Sequence, residues 1–168
     1  MLTLLCAEGS GGDWKFALPA AAAIELIHNF SLIHDDIEDN GLTRRSKETV
    51  WVRWGLPKGL NAGDAMFASA FKMINELRKA VGSETAIEAV ELLSSTCLKL
   101  TAGQHLDLDF ENRENVAIHE YYEMISGKTA ALLACCTQMG ALVGGMEKES
   151  QLQYSKFGNE LGMAFQMY

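Results

Sequence analysis

The chain has 168 residues, a net charge of −8 and a hydrophobic share of 48%, which bound it to a single domain around one core and exclude a nucleic-acid binder with a dominant basic face. Only two prolines interrupt it, as befits a helical protein. Cys6, Cys97, Cys135 and Cys136 form neither a CxxC pair nor a disulfide framework, and read as small buried hydrophobes in a reducing, cytoplasmic setting.

In chain order, residues 1–8 read as the tail of a helix stopped by Gly9-Ser10-Gly11-Gly12. A second helix spans 16–39, with Pro19 tolerated in its first turn. Residues 40–47 form a basic loop, and 49–54 one or two helical turns closed by Gly55 and Pro57. A third helix covers 58–81, opened by Asn61, Gly63 and Asp64 in N-terminal-turn roles. Gly82-Ser83 breaks it and caps a fourth, 84–110. Polar residues 111–115 lead to a fifth helix, 117–143. Its stripe of Ile118, Tyr122, Ile125, Thr129, Leu132, Cys136, Met139 and Val143 steps by three and four, the spacing of one buried face. A sixth helix runs from 147 to the end. No segment alternates with period two, so the fold class is an all-α bundle. The uncharged run 129–145 is shorter than the ~20 apolar residues a membrane span needs, and no transmembrane segment is expected.

The densest chemistry sits at Asp35-Asp36-Ile37-Glu38-Asp39, closing an Ala- and Leu-rich helix. At about 100° per residue, Asp35 and Asp39 share one face. Such crowding is unfavourable twice over: the like charges repel, and anions face the negative end of the helix dipole. Either this is a solvated acidic helix end, or a divalent cation relieves both penalties. Hard oxygen donors with no thiolate nearby suit Mg²⁺ or Mn²⁺ rather than zinc. Beyond Asn40-Gly41 come Arg44, Arg45, Lys47, Arg53 and Lys58, five of the fourteen basic residues in fifteen positions. An acidic pole facing a basic loop fits an anionic ligand held between metal and guanidinium, a diphosphate best of all.

Other candidates have plainer readings beside the functional one. Gln104 and Asp107 share a helix face, either as an ordinary polar stripe or as an active-site face where Asp107 positions Gln104 or a water. Lys128 breaks an apolar helix, as a snorkelling side chain or a phosphate clamp. His28 and His34 lie six residues apart, about 600° of turn, so they cannot share a metal. They read as core or edge histidines, which disfavours a His-Asp metal phosphohydrolase.

Taken together the motifs resemble those of the trans-isoprenyl diphosphate synthases, from end to end and in the family's order. Asp35, Asp36 and Asp39 match its first aspartate-rich motif, Arg44-Arg45 its arginine pair, and Gln104 its glutamine–aspartate segment. Lys128-Thr129 matches its lysine–threonine pair, and Phe165-Gln166 the pair preceding its second aspartate-rich motif. The resemblance implies an isoprenoid-synthase-type helical bundle around a central apolar cavity, and a homodimer. It implies Asp35 and Asp39 as ligands of Mg²⁺ (or Mn²⁺), with Asp36, Arg44, Arg45 and Lys128 also catalytic. Arg44, Arg45, Gln104, Lys128, Thr129, Phe165 and Gln166 become contacts for an allylic diphosphate and isopentenyl diphosphate. Phe30 and Ser31 stand at the family's chain-length floor, and with no two-residue insertion in the first motif they suggest a product near twenty carbons.

The departures are specific. Ser46 and Glu48 replace the Gly and Pro usual after the arginine pair. The family's glycine–lysine–arginine motif and second aspartate-rich motif are both missing from the 168 residues. The expectation is therefore a single helical prenyltransferase domain, incomplete at both ends, whose 168 residues alone have no useful activity. A non-catalytic truncated subunit that pairs with a complete synthase is the alternative.

Overall fold

The computed structural model describes residues 1–111 and 113–167. Asn112 and Tyr168 lie outside the described residues. Nine α-helices are described: α1 (Leu2–Gly9), α2 (Leu18–Glu38), α3 (Val50–Trp54), α4 (Leu56–Ile74), α5 (Arg78–Val81), α6 (Ser83–Phe110), α7 (Ile118–Ile125), α8 (Ala131–Val143) and α9 (Lys148–Met167). A 3₁₀ turn, Trp14–Ala17, leads into α2, and another, Asn75–Leu77, separates α4 from α5. The single helix expected over 58–81 is thus interrupted.

The core follows from spacing. Ala20, Ala23, Ile24 and Ile27 step by three and four along α2 and are all buried, the apolar stripe of an amphipathic helix. They join Ile74, Leu77, Leu93, Cys97, Cys135 and Met139 in one cluster. The main helix pairs are α2 against α4 and α8 against α9. All four cysteines are free thiols, three of them buried. By length and mean hydropathy (1.5) the run Trp14–Glu38 would suffice to cross a membrane. Here it packs along α4, where the rings of Phe30, Phe67 and Phe71 stack in succession about 5.1 Å apart.

Two further features depart from the sequence reading. The basic loop is a small antiparallel hairpin, β1 (Thr43–Arg44) paired with β2 (Lys47–Glu48). Its two-residue turn places Arg45 at φ 51° and Ser46 at φ 63°, a type I′ geometry whose usual residues are Asn and Gly. The fifth helix is not uniform either. A π turn, Ser126–Ala130, joins α7 to α8. Its extra residue rotates the following helix by about 100° relative to the preceding one. Separately, the expected buried stripe fails at its start: Ile118 is 65% exposed and Tyr122 43%, whereas Ile125, Met139 and Val143 are buried; Ile118 and Ile125 share a helix face, so the departure lies at the N-terminal end of α7.

Candidate active site

The C-terminal end of α2 is shaped by its cap. Asn40 takes φ 53°, the Gly41 N–H donates to the Asp36 carbonyl (2.8 Å) and the Asn40 N–H to the Ile37 carbonyl (3.3 Å). This is a Schellman motif with Asn in the left-handed position. The chain is thereby turned back over its own acidic cluster, and two side chains hold it there. The Thr49 hydroxyl (2.8 Å) and the Trp51 indole N–H (2.9 Å) both donate to the Gly41 carbonyl. Neither residue stood out in the sequence, since nothing local marks a Thr or Trp that anchors a distant carbonyl.

So anchored, the hairpin lays Arg44 across two aspartates. Its Nε donates to Asp36 Oδ1 and its Nη2 to Asp35 Oδ2, each at 2.8 Å. Burial works against the Arg44 charge, but the hydrogen bonds and attraction of Asp36 and Asp35 outweigh it and raise the guanidinium's pKa. The Asp36 side chain is only 9% exposed, so it faces inward and grips the hairpin. Asp35 is partly buried beside it and Asp39 is exposed. Arg45, at the hairpin tip, makes no ion pair among the described residues.

From the other wall, Lys128 donates to Asp107 and stands 3.1 Å from Asp35 Oδ1. Burial disfavours its charge, yet Asp107 and Asp35 together raise its pKa. Asp107 thus orients Lys128 rather than Gln104. Lys128 reaches this point because it lies within the π turn, and that turn packs directly on α6. A methyl group at Gly103 would overlap the Lys128 backbone nitrogen, and one at Gly127 would meet the Gly103 Cα at 2.9 Å. Only a glycine pair permits this approach. Next to Lys128, the Thr129 hydroxyl donates to Gln166 Oε1 (3.0 Å), and Phe165 is exposed beside it at 73%. Gln104 Nε2 donates to Glu38 Oε2 at 2.8 Å.

Asp39 caps α2. Its carboxyl pKa is raised by burial and by the Asp35 charge, against a pull downward from Lys128. Asp35 Oδ1 is buried and outside the hydrogen-bond network, with the Lys128 ammonium 3.1 Å away as its ionic neighbour. A desolvated, under-satisfied carboxylate oxygen one turn from a second carboxylate suits a hard divalent cation. Among the described residues no group of three or more His, Cys, Asp or Glu side chains encloses an ion. Mg²⁺ does not need one, because it keeps waters and takes phosphate oxygens into its shell.

The remaining candidates lie to one side. Phe30 sits edge-on to His34, ring centroids 4.8 Å apart, and tilted against Phe67. The Ser31 hydroxyl turns back to the His28 carbonyl. His34 Nε2 lies 3.3 Å from the Leu60 carbonyl and its ring fills the space a side chain at Gly63 would need. Gly63 therefore serves the α2–α4 crossing, not a helix start. A cavity of about 550 Å³ opens elsewhere along α6 beside Leu92, Lys99, Cys135 and Lys156, and its lining includes none of Asp35, Asp39, Arg44, Gln104 or Lys128.

The sequence model of the polyprenyl synthetase family matches residues 1–168. The chain is 40% identical over 165 residues to a geranylgeranyl diphosphate synthase of Methanosarcina mazei, covering 98% of this chain and 50% of that protein. It is 44% identical over 167 residues to a short chain isoprenyl diphosphate synthase of Methanothermobacter thermautotrophicus, covering 99% and 50%. The solved structure of a geranylgeranyl pyrophosphate synthetase from the archaeon Geoglobus acetivorans superposes with a TM-score of 0.95 at 36% identity, over 98% of this chain and 53% of that one. The chain spans about half the length of the curated relatives it matches. With every residue inside the family's match, this chain belongs to the polyprenyl synthetase family.

Proposed function

We propose that this protein is a Mg²⁺-dependent (or Mn²⁺-dependent) prenyltransferase that condenses isopentenyl diphosphate with an allylic diphosphate, head to tail. The observation that carries the reading is Asp35, placed between Arg44 and Lys128 with one buried oxygen left without a hydrogen bond. Asp35 and Asp39 would hold the metal. Once bound, it supplies Lewis-acid stabilisation of the charge on the departing diphosphate. Arg44 and Lys128 converge from opposite walls to donate to the same diphosphate, with Arg45 reaching from the hairpin tip. Asp36 keeps Arg44 in place, and Asp107 does the same for Lys128.

Cleavage of the allylic C–O bond leaves a cation that the isopentenyl double bond attacks. Charge stabilisation and alignment do this work, and no protein nucleophile is needed. Thr129, Gln166 and Phe165 form the wall beside Lys128 against which the substrate lies, and Gln104 faces it from α6. Phe30, fixed between His34 and Phe67 with Ser31 beside it, forms the floor and favours a product near twenty carbons. A homodimer in a reducing cytoplasm completes the proposal, in keeping with four free thiols.

The test is a product assay on the full-length protein, with isopentenyl diphosphate and dimethylallyl, geranyl or farnesyl diphosphate. The expected result is metal-dependent condensation, with chromatography showing mainly geranylgeranyl diphosphate. No product from any primer would overturn the reading in favour of a non-catalytic subunit.

A further inference from the structure

Gln104 is the one site residue whose partner lies in the first aspartate-rich segment but is not an aspartate. Its Nε2 donates to Glu38 Oε2 at 2.8 Å, across 66 residues of sequence. Glu38 is the last residue of α2 and is exposed. It forms no ion pair among the described residues, so Gln104 is its hydrogen-bond partner on that wall. The chemistry of the pair is directional. A carboxylate has no proton to give, so the amide nitrogen must face Glu38. The reversed amide would set two acceptor oxygens against each other. One Gln104 N–H is therefore committed, and its carbonyl oxygen is turned away from Glu38. One helical turn along the same face, Asp107 holds Lys128, which reaches Asp35. The end of α2 is thus tied to α6 at both Glu38 and Asp35.

We infer that Glu38 is a positioning residue. It locks the Gln104 amide so that the carbonyl oxygen serves the diphosphate site as an acceptor, suited to a water on the bound metal rather than to a phosphate oxygen. This rests on the prenyltransferase reading. Outer partners that orient the groups around a metal typically govern affinity by about 10- to 100-fold, and Glu38, standing behind Gln104, belongs at the lower end.

The test is a double-mutant cycle on the full-length protein with Glu38→Ala, Gln104→Ala and the pair. Calorimetry would measure the affinity for Mn²⁺ with inorganic diphosphate, and side-chain amide NMR would follow the Gln104 NH₂ signals. Each single variant is expected to weaken binding about 10-fold, and the double variant no further. Glu38→Ala should also shift the Gln104 amide resonances. Additive losses would mean that Glu38 acts through its charge alone and would overturn the inference, as would unchanged binding in Glu38→Ala. A merely structural role would lower the Tm without moving affinity, which also counts against it. If the wild-type protein bound no manganese–diphosphate, the functional reading would fall and this inference with it. Loss of the Glu38 effect alone would leave that reading standing.

Discussion

Gly103 on α6 and Gly127 in the π turn meet backbone to backbone, so closely that a Cβ on Gly127 would lie 2.9 Å from the Gly103 Cα. The contact sets the depth at which Lys128 enters the site. Gly103→Ala forces a methyl into the Lys128 backbone nitrogen, and backbone cannot yield as a side-chain tip can. The expected loss is about 3 kcal/mol, the upper part of the range for overpacking, read from denaturant unfolding. Diphosphate affinity should fall with it, because Lys128 is pushed off Asp107 and Asp35. An unchanged midpoint would show that the two elements are not in contact.

The hairpin that carries Arg44 hangs on one carbonyl. Thr49, 3% exposed, shares the Gly41 oxygen with Trp51. Thr49→Val keeps the shape and removes the hydroxyl, leaving that oxygen one donor. A loss of about 1 kcal/mol is expected, with a larger proportional loss of diphosphate affinity than of stability because Arg44 loses its mooring. Equal stability and affinity in Thr49→Val would contradict this.

Asp39 gives the site a pH signature in the absence of metal. Burial, then the neighbouring Asp35 charge, raise its carboxyl pKa above the ordinary 3.8. The folded state therefore binds this proton more tightly than the unfolded one. That contribution is fully present below about pH 3.8 and is lost as pH rises through the raised native value. Asp39→Asn removes the charge, so at pH 7 in chelator its Tm should rise by about 1 °C, small because the group is exposed and screened. Near pH 3 the two proteins should melt together. A Tm below wild type at pH 7 would reverse the sign and refute the argument.

Much of the site was legible because its elements are local. Asp35 and Asp39 follow from helical spacing, and Arg44 from its place just beyond them. Lys128 stands out as a charge entering an apolar run, but its direction depends on the π turn. Three-and-four periodicity has no signal for one added residue, nor for where a helix runs past its packing partners, so Ile118 and Tyr122 read as buried and are exposed while Ile125 on the same face is buried. The hairpin likewise carries no local signal. Arg45 and Ser46 occupy left-handed positions where Gly or Asn would have announced a turn. The Glu38–Gln104 and Gly103–Gly127 relationships join distant segments, and only the packed chain brings them together.

The central claim is that Asp35 anchors the metal and its diphosphate. The most direct measurement is the prenyl-transfer rate of full-length Asp35→Asn beside wild type, with circular dichroism to confirm the fold. The expected rate is lower by about 10²- to 10³-fold, the scale set by loss of a central electrostatic group, in a protein that still folds. A folded Asp35→Asn enzyme turning over near the wild-type rate would contradict it.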